Sequence, residues 1–392
     1  MRKRNLILLS IICIMSIIAL TGLLVIAYDR QLQKNNDVVE SDEPTPSPTT
    51  TPSEPSKPAL SPTPAPTPTE EAASNEPIIL GFAGDVNLDE DSYPVAKYDD
   101  EGKGIHGVLS KDLVEEMNDA DIMMLNNEFA YSTRGIEETD KSYTFRANPA
   151  RVGILNEMGV DIVSLANNHA LDFGPEALLD TFSTLDTAKI AYVGAGENMA
   201  RAKAPIYFNV GNKNIAFVAA SRVVFAMDWY ATDTTPGMIG TYDPALFLEA
   251  IREAKDNADF VVAYVHWGVE RNNYPEHYQK VFAQNYIDAG ADAVIGCHPH
   301  VMQGLEFYKG KPIAYSLGNF WFNKSTKESG MLKLYLEPDD TIQVQLLPVM
   351  NKDTRTYILT EEKDRSNYFD FMEGISFDVK IDDLGFVTEA DK

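Results

Sequence analysis

The chain has 392 residues, a formal net charge of -26 and 44% hydrophobic residues. That apolar content is enough for a sizeable core in one large domain or two small ones. The strong negative charge argues against a nucleic-acid-binding protein and against holding any polyanion by general electrostatic attraction.

The first predicted element is an apolar segment near the N-terminus. Residues 6–27 form an almost unbroken apolar run of about 22 residues, which as a helix would be roughly 33 Å long and match a bilayer core. Three basic residues precede it, and positive charge on the short N-terminal side favours a cytoplasmic N-terminus. We predict a cytoplasmic segment at 1–5, a transmembrane signal anchor at 6–28 and an extracellular remainder, making this a single-pass protein of the cell membrane. A cleaved signal peptide is the alternative, but no clear cleavage site precedes Tyr28.

The segment at 29–76 is predicted to be a disordered linker. From Ser41 onward it is dominated by Pro, Thr, Ser and Glu, which cannot bury enough apolar surface to fold. Pro-rich chain is extended, so this linker could reach roughly 100 Å at about 3.1 Å per residue. It is either a stalk that spans a cell wall or a tether without a length requirement, and composition does not separate these. Beyond the anchor only Cys297 remains, which excludes an internal disulfide.

Residues 77–350 have the alternating pattern of an α/β domain. Short apolar runs predict buried strands, and a cap-compatible residue followed by proline predicts helix starts at Asn148, Gly174 and Asp243. The segments 204–210 and 215–221 favour a hairpin, as do those on either side of Gly310, which indicates mixed sheets instead of a purely parallel one. Residues 351–392 are predicted to form a C-terminal extension that packs on this domain. The predicted strands are 78–83, 121–125, 161–165, 260–265 and 293–295.

Polar residues follow each of these strands. Open α/β sheets bind ligands at the carboxyl ends of their strands, so these side chains are expected to converge on one rim. Carboxylates, a carboxamide and imidazoles are the groups that bind divalent metals. Each segment alone has an ordinary structural explanation as a turn, a cap or a hydrogen-bonded histidine, but their joint occurrence favours a metal site. The segments are Gly84-Asp85, Asn126-Asn127-Glu128, Asn167-Asn168-His169, His266-Trp267-Gly268 and Gly296-Cys297-His298-Pro299-His300.

The order of these motifs resembles a known family. The set Gly-Asp, Asn-Glu, Asn-Asn-His, His-Trp-Gly-x-Glu, Gly-x-His-Pro-His and Ser-Leu-Gly-Asn-Phe is similar to that of the CapA/PgsA capsule-synthesis proteins. Their domain resembles the calcineurin-like metallophosphoesterases. The resemblance covers about residues 77–350 and implies a four-layer α/β sandwich of the metallo-dependent phosphatase type. It also implies two divalent metal ions, which would be Mn, Zn or Fe.

The resemblance implies a ligand set position by position. Asp85 and His300 would hold the first ion, Asn168, His266 and His298 would hold the second, and Glu128 would bridge them. Two features depart from the metallophosphoesterase pattern: Asn87 stands where a histidine is expected, and the bridge is Glu128 instead of the usual Asp. The first ion is therefore expected to bind more weakly. Cys297 could ligate a metal or pack, and packing is favoured.

Further residues are expected near the substrate. The resemblance implies that His169 acts as an acid or oxyanion donor, and Asp172 either orients His169 or is an exposed loop carboxylate. Arg146 and Arg222 could clamp an anionic group, although each could equally be a surface or salt-bridge arginine. Glu270 could support a ligand or contact the substrate. Asn319, in Ser-Leu-Gly-Asn-Phe, belongs either to the site or to a structural turn.

Three functional classes follow from this reading. The first is an extracellular, membrane-anchored component of poly-γ-glutamate or related capsule production, acting with membrane synthase and export subunits. The second is a metal-dependent hydrolase acting on a phosphoester or trimming the polymer at its amide bonds. The third is a binding module with a relict site, in keeping with Asn87. The expected partner is an anionic polymer or a phosphorylated substrate, and not a nucleic acid.

Overall fold

The computed structural model describes residues 76–390. The predicted anchor at 6–28 and, apart from Glu76, the predicted linker lie outside the described residues. Among residues 76–390, no helix is both long enough and apolar enough to cross a membrane.

Strands and helices alternate in the first two thirds of the domain, and strands dominate the last third. The strands are β1 (Ile78–Val86), β2 (Ile122–Asn127), β3 (Ala130–Tyr131), β4 (Arg146–Ala147), β5 (Ile162–Ser164), β6 (Ala191–Val193), β7 (Ala195–Gly196), β8 (Ile206–Val210), β9 (Lys213–Ser221), β10 (Gly237–Met238), β11 (Phe260–His266), β12 (Ala293–Cys297), β13 (Met302–Tyr308), β14 (Lys311–Leu317), β15 (Asn319–Trp321), β16 (Lys327–Leu336), β17 (Ile342–Lys352), β18 (Arg355–Ile358), β19 (Val379–Ile381) and β20 (Phe386–Glu389). The helices are α1 (Tyr93–Glu101), α2 (Lys111–Asn118), α3 (Gly153–Glu157), α4 (Gly174–Ala188), α5 (Met199–Lys203), α6 (Ala245–Asn257), α7 (His277–Ala289) and α8 (Glu362–Ile375).

Two large mixed sheets form the centre of the domain. In the first, β1, β2, β5 and β6 run parallel, and β16 and β17 continue the sheet in antiparallel order beyond β1. In the second, β9, β11, β12 and β14 run parallel, with β8 and β13 antiparallel at its two edges. The predicted α/β class is therefore confirmed. The predicted hairpins are confirmed as β8–β9 and β13–β14.

The two sheets face each other and carry helices on their outer faces. The Tyr264 hydroxyl of β11 donates a hydrogen bond to the Ala83 carbonyl of β1 at 2.9 Å, which joins the sheets across their shared core. On the far side of the second sheet, Val261 and Val265 pack with Phe247 of α6 and Tyr286 of α7. Alternate side chains of a strand point to opposite faces, so each strand contributes to both layers.

The outer face of the first sheet is held to α2 by a buried lysine. Lys333 of β16 is 1% exposed and donates to Glu116 at 2.7 Å and Asp119 at 2.9 Å. Residues 355–390 add β18, β19, β20 and α8 to the same domain, and the Tyr368 hydroxyl donates to the Ser329 carbonyl at 2.6 Å.

Local sequence explains where several elements begin and end. The Ser92 side chain accepts from the Val95 N–H at the start of α1, and Gly102 ends that helix in the left-handed region. Glu276 and Gln279 form a capping box at the start of α7. The parallel strands β1, β2, β11 and β12 all end at the edge where the polar motifs begin. That shared edge places the side chains described next.

Candidate metal centre

Side chains from the ends of strands in both sheets meet in one buried group. Asp85 belongs to β1, Glu128 follows β2, and His169 lies in the turn after β5. The second sheet contributes His266 at the end of β11 together with His298 and His300 after β12. Asp85, Glu128 and His266 are fully buried, and His169 and His298 are at most 5% exposed. The centre therefore lies between the two sheets.

Glu128 lies at the middle of this group. Its Oε1 atom is buried and has no hydrogen-bond partner among residues 76–390. The same atom lies 3.8 Å from His300 Nε2, 3.9 Å from His169 Nε2 and 4.0 Å from His266 Nε2. A carboxylate oxygen surrounded by three ring nitrogens at these separations leaves room for a cation between them.

Asn126 holds the two carboxylates in place. Its side-chain nitrogen donates to Asp85 Oδ1 at 2.8 Å and to Glu128 Oε2 at 3.0 Å. The other oxygen of Asp85 lies 3.3 Å from His300 Nδ1 and accepts from the His298 backbone N–H at 3.2 Å. This role of Asn126 was not predicted from the sequence. The signal available for it was the parallel register, in which Asn126 lies directly beside Asp85.

His266 and His298 form the second half of the group. His266 Nε2 lies 2.7 Å from Asn168 Oδ1, its Nδ1 lies 3.3 Å from Cys297 Sγ, and its ring centroid is 4.5 Å from that of His298. His298 Nδ1 is buried and, within the described part of the chain, has no hydrogen-bond partner. His298 and His300 have φ angles of 98° and 57°. Such angles are unfavourable for residues other than glycine and cluster at functional sites.

His169 is oriented by Asp172. Its Nδ1 lies 2.6 Å from Asp172 Oδ2, which also accepts from the Phe145 N–H at 2.7 Å. Asp172 is fully buried, so the exposed-loop alternative for this residue does not apply. Lys141, whose side chain is 9% exposed, donates to Asp172 Oδ1. Lys141 was not predicted from the sequence, because it is surrounded along the chain by polar loop residues.

The four candidate substrate residues have different surroundings. Asn319 Oδ1 lies 2.8 Å from His300 Nδ1, and the negative charge of exposed Glu270 acts on His300. The Arg146 guanidinium instead packs 4.0 Å from the centre of the Phe173 ring and donates to the Arg134 carbonyl. The Arg222 guanidinium lies 3.9 Å from the Tyr242 ring centre and donates to the Thr241 carbonyl.

Burial sets the protonation of the centre. It lowers the pKa of His266 well below its usual range, and burial together with the charge of His300 lowers the pKa of His298 to about 3. Burial and then the charge of Asp85 raise the pKa of Glu128. For Asp85 and His300 burial opposes ionisation, but their hydrogen bond and attraction prevail, which lowers the pKa of Asp85 and raises that of His300. His266 and His298 are thus neutral, the form that binds metals.

These residues fit divalent cations. Glu128 Oε1 and His298 Nδ1 are among the buried polar atoms that have no partner within residues 76–390. Because the two side chains belong to one set of ligand-type groups, a cation between them would satisfy both atoms. Within residues 76–390, three sets of side chains offer ligand atoms within 4.8 Å of one another: Asp85, Glu128 and His300; Glu128, His266 and His298; and Asp85, His266 and Cys297. Glu128 belongs to two of these sets. The bridging role predicted for it requires such sharing, while the ligand assignment itself stays a prediction.

Cys297 fits packing better than ligation. Burial raises the pKa of its thiol well above the usual range, with further contributions from Asp85 and Glu128. Because the thiolate is the form that binds metals, a buried thiol beside two carboxylates is a poor ligand. Its contact with His266 instead helps to orient that ring.

An apolar cavity lies beside the centre. It has a volume of about 700 Å³ and is lined by Phe225, Met227, Tyr230, Tyr242 and Leu246, among others. The Phe225 ring centre lies 5.9 Å from Lys141 Nζ, which connects the cavity wall to the His169 turn.

Comparisons with known proteins agree with the resemblance in the motifs. The family described as "Bacterial capsule synthesis protein PGA_cap" matches residues 79–324, more than half of the chain. The chain is 33% identical over 243 residues to the "Capsule biosynthesis protein CapA" of Bacillus anthracis, covering 60% of this chain and 59% of that protein. It is 34% identical over 220 residues to the "PGA biosynthesis protein CapA" of Bacillus subtilis (strain 168), covering 55% and 57%.

The match spans less than two thirds of either relative's length. Among solved structures, a novel phosphatase from Mycoplasma pneumoniae has a TM-score of 0.46 and 12% identity, covering 71% of this chain and 96% of that chain.

The family match covers β1 through β15 and so contains every residue of the buried group. The chain therefore belongs to the bacterial capsule synthesis protein family PGA_cap, as its motifs predicted.

Proposed function

We propose that this chain is a membrane-anchored, extracellular component of the apparatus that makes or exports poly-γ-glutamate or a related capsule polymer, and that its domain uses a dinuclear metal centre. Family membership supports the first part, as do two relatives named for capsule and PGA biosynthesis. The predicted anchor at 6–28 and linker at 29–76 would hold the domain outside the membrane, where such a polymer emerges. Its partners would be membrane synthase and export subunits.

The observation that carries the metal centre is the buried, unpartnered oxygen of Glu128, shared by two sets of ligand-type side chains. Asp85 and His300 would hold one ion, and Asn168, His266 and His298 the other. Two divalent ions of Mn, Zn or Fe held there would act as Lewis acids and neutralise charge on a phosphoryl or carboxylate oxygen. Asn87 does not join the group, because its Oδ1 accepts from the Asp89 N–H at 2.8 Å in a turn.

Charge supports an anionic ligand at this centre and not elsewhere on the surface. The chain carries a net charge of -26, which repels a polyanion over most of its surface. Two divalent ions contribute +4, and Asp85 and Glu128 contribute -2, so the loaded centre is locally positive by +2. A carboxylate or phosphate would therefore be attracted to the rim between the sheets.

A metal-dependent hydrolase is the second candidate, because His169 and Asp172 form a buried acid–base pair beside the ligand group. With its Nδ1 facing Asp172, His169 presents Nε2 toward Glu128 Oε1. Burial lowers the pKa of His169 and Asp172 opposes this, so a proton that Nε2 takes from an attacking water could pass on to the leaving oxygen or nitrogen. The bond broken would be a phosphoester or an amide of the polymer.

The test is complementation of a host strain that lacks this gene. The strain would receive the full chain, a His298→Ala/His300→Ala variant, a secreted form lacking residues 1–76, or a control with exposed His277 replaced by Ala. Surface polymer would be measured as glutamate released by acid hydrolysis. We expect polymer only with the full chain and the His277 control. Unchanged polymer in the deletion strain would reject a role in capsule production, and full rescue by the double variant would reject the metal centre.

The hydrolase alternative is tested separately with the purified chain. Metal content would be measured by elemental analysis, followed by assays on a phosphomonoester, a phosphodiester and γ-glutamyl oligomers. About two metal equivalents with turnover that disappears in His169→Gln would support hydrolysis. Two equivalents without turnover of any of these substrates would favour a role in binding or export.

A further inference from the structure

Lys141 is a buried cation with no role in the ligand set. It lies in the loop between β3 and β4, whose outward side chains include Ile136 at 86% exposure and Tyr143 at 72%. The Lys141 side chain is 9% exposed and turns inward from this loop. Burying an ammonium is costly unless its donors are paired, so its partners determine why it is there.

The Lys141 ammonium holds the turn that carries His169. Its Nζ donates to the Asn168 carbonyl and to Asp172 Oδ1, and lies 3.0 Å from His169 Nδ1. It also lies 5.1 Å from the centre of the Trp229 ring, which adds a cation–π contact. A single ammonium therefore holds both the backbone and the carboxylate of the 168–172 turn.

The same loop closes on this turn through its backbone. The Glu138 N–H donates to the Asp172 carbonyl at 2.8 Å, and the Phe145 N–H donates to Asp172 Oδ2 at 2.7 Å. The Phe145 ring packs against the His169 ring with centroids 4.2 Å apart. Lys141 lies between these contacts, at the point where the loop meets the centre.

These contacts set the direction of two groups. Lysine and backbone N–H groups only donate, so Asp172 accepts from both. His169 Nδ1 lies closer to Asp172 Oδ2, at 2.6 Å, than to Lys141 Nζ, at 3.0 Å, and this Nζ already donates to Asp172 Oδ1 and the Asn168 carbonyl, so Nδ1 donates to the carboxylate. The lone pair of His169 is then on Nε2, which faces Glu128 Oε1 at 3.9 Å. One residue earlier, the anchored backbone of Asn168 directs its Oδ1 to within 2.7 Å of His266 Nε2.

We propose that Lys141 is a positioning residue of the metal centre: by holding Asp172 and the Asn168 backbone together, it fixes the tautomer of His169 and the direction of the Asn168 amide oxygen. This inference rests on the metal centre proposed above. Mutating a partner that orients a metal ligand typically lowers metal affinity about 10- to 100-fold. Lys141 acts at the second ion, because Asn168 is expected to be a ligand of that ion.

The ordinary alternative is a buried ion pair that stabilises only the fold. The chain offers a matched control in Lys333, which is 1% exposed and holds Glu116 and Asp119 on the outer face of the first sheet. Lys333 pairs with Gly81, four residues before Asp85 along β1. Lys333→Met therefore removes another buried, ion-paired ammonium without touching the centre.

In the first experiment the full chain in detergent is titrated with Mn²⁺. Calorimetry measures the affinity of each equivalent, and elemental analysis measures how many equivalents are bound. We expect Lys141→Met to weaken the binding of one equivalent by about 10- to 100-fold and to leave the other unchanged. Lys333→Met should bind both equivalents as the wild type does. Unchanged affinity in Lys141→Met, or the same loss in Lys333→Met, would overturn the proposal.

Asp172→Asn alone keeps the proposal testable if Lys141→Met folds poorly, because it should weaken the same single equivalent. Where both variants fold, the two changes also form a double-mutant cycle. Asp172→Asn retains the lysine but removes the charge through which it acts. The losses of affinity in Lys141→Met and Asp172→Asn should be strongly non-additive when combined, because both changes break one network. Additive losses would mean that Lys141 acts independently of Asp172 and would contradict the proposal.

A second readout needs no metal. All six histidines of the chain lie within residues 106–300, so selective ¹⁵N-histidine labelling gives a small set of ring signals that His169→Gln can assign. The metal-free wild type should show His169 protonated on Nδ1, and Lys141→Met should lose this single tautomer. An unchanged His169 signal in Lys141→Met would refute the proposed role of Lys141. A wild type that binds no metal would reject the metal centre, and the tautomer measurement could still be made on it.

Discussion

Replacing Glu128 by Gln should stabilise the metal-free protein while abolishing metal binding. The side chain is fully buried, and its Oε1 has no partner within residues 76–390. Burial and the nearby charge of Asp85 raise its pKa above the ordinary value of 4.5. Glutamine has nearly the same shape, can still accept the hydrogen bond from Asn126 and never ionises. The substitution therefore removes the cost of a buried charge without opening a cavity.

The sign and size of the effect follow from linkage between protonation and folding. Because the folded-state pKa is raised, the folded protein keeps the Glu128 proton at pH values where the unfolded chain has lost it. This contribution to stability is complete below pH 4.5 and is lost as pH rises through the folded-state pKa. Each unit of raised pKa corresponds to about 1.4 kcal/mol. For a domain of this size, 1 kcal/mol shifts Tm by about 2 °C. Glu128→Gln should therefore raise Tm by about 3 °C for each pH unit by which the folded protein raises the pKa of Glu128.

The assay is thermal unfolding of the wild type and Glu128→Gln in EDTA at pH 5 and pH 8. The variant should melt higher at pH 8. Its advantage should shrink at pH 5, because Glu128 is then closer to its uncharged, protonated form. Other titrating groups are the same in both proteins and cancel in the comparison. Mn²⁺ at 100 times its Kd should stabilise the wild type by about 2.7 kcal/mol for each site it fills and leave the variant unchanged. A variant that melts lower than the wild type at pH 8 in EDTA would refute this account of the centre.

Three further outcomes are expected. Cys297→Ala should keep the wild-type metal content by elemental analysis, because the buried thiol is a poor ligand; loss of one equivalent would show that it binds. Gly84→Ala should destabilise the protein by more than about 3 kcal/mol in chemical unfolding, because its Cβ would lie 1.9 Å from the Gly318 carbonyl oxygen. The control Gly153→Ala should be nearly neutral, because no described atom lies near the added Cβ. γ-Glutamyl oligomers should bind by calorimetry only with Mn²⁺ present; equal binding in EDTA would place the anion site elsewhere.

Strand ends explain why the ligand candidates were predictable. In both sheets the central strands are parallel, so motifs that follow β1, β2, β11 and β12 must reach the same edge. Short apolar runs identify those strands, and the polar residue after each run identifies the side chain. The family match covers the same segments, while the ligand assignment itself stays a prediction. The linker and anchor were predicted from composition and hydropathy alone and lie outside residues 76–390.

Contacts between distant loops explain what was missed. Lys141 contacts Asp172 from a loop 31 positions earlier in the chain, and no periodic pattern in the sequence predicts this contact. Arg146 and Arg222 have the right charge for a substrate clamp, but their guanidinium groups pack on Phe173 and Tyr242. The direction of a long side chain depends on which rings lie nearby, and that information is not local in sequence.

The protonation pattern of the metal-free centre makes metal binding a proton-releasing reaction. Burial raises the pKa of Glu128, and the hydrogen bond and charge of Asp85 raise that of His300 against the effect of burial, so both groups favour their protonated forms. A cation between these groups requires both protons to leave, so apparent metal affinity must rise with pH. Rising pH also weakens the metal-free fold, because it ionises Glu128 in a buried position. The loss of stability of the metal-free fold and the gain in metal affinity at higher pH thus have the same origin. In both cases Glu128 ionises in a buried position, where a bound cation would neutralise it.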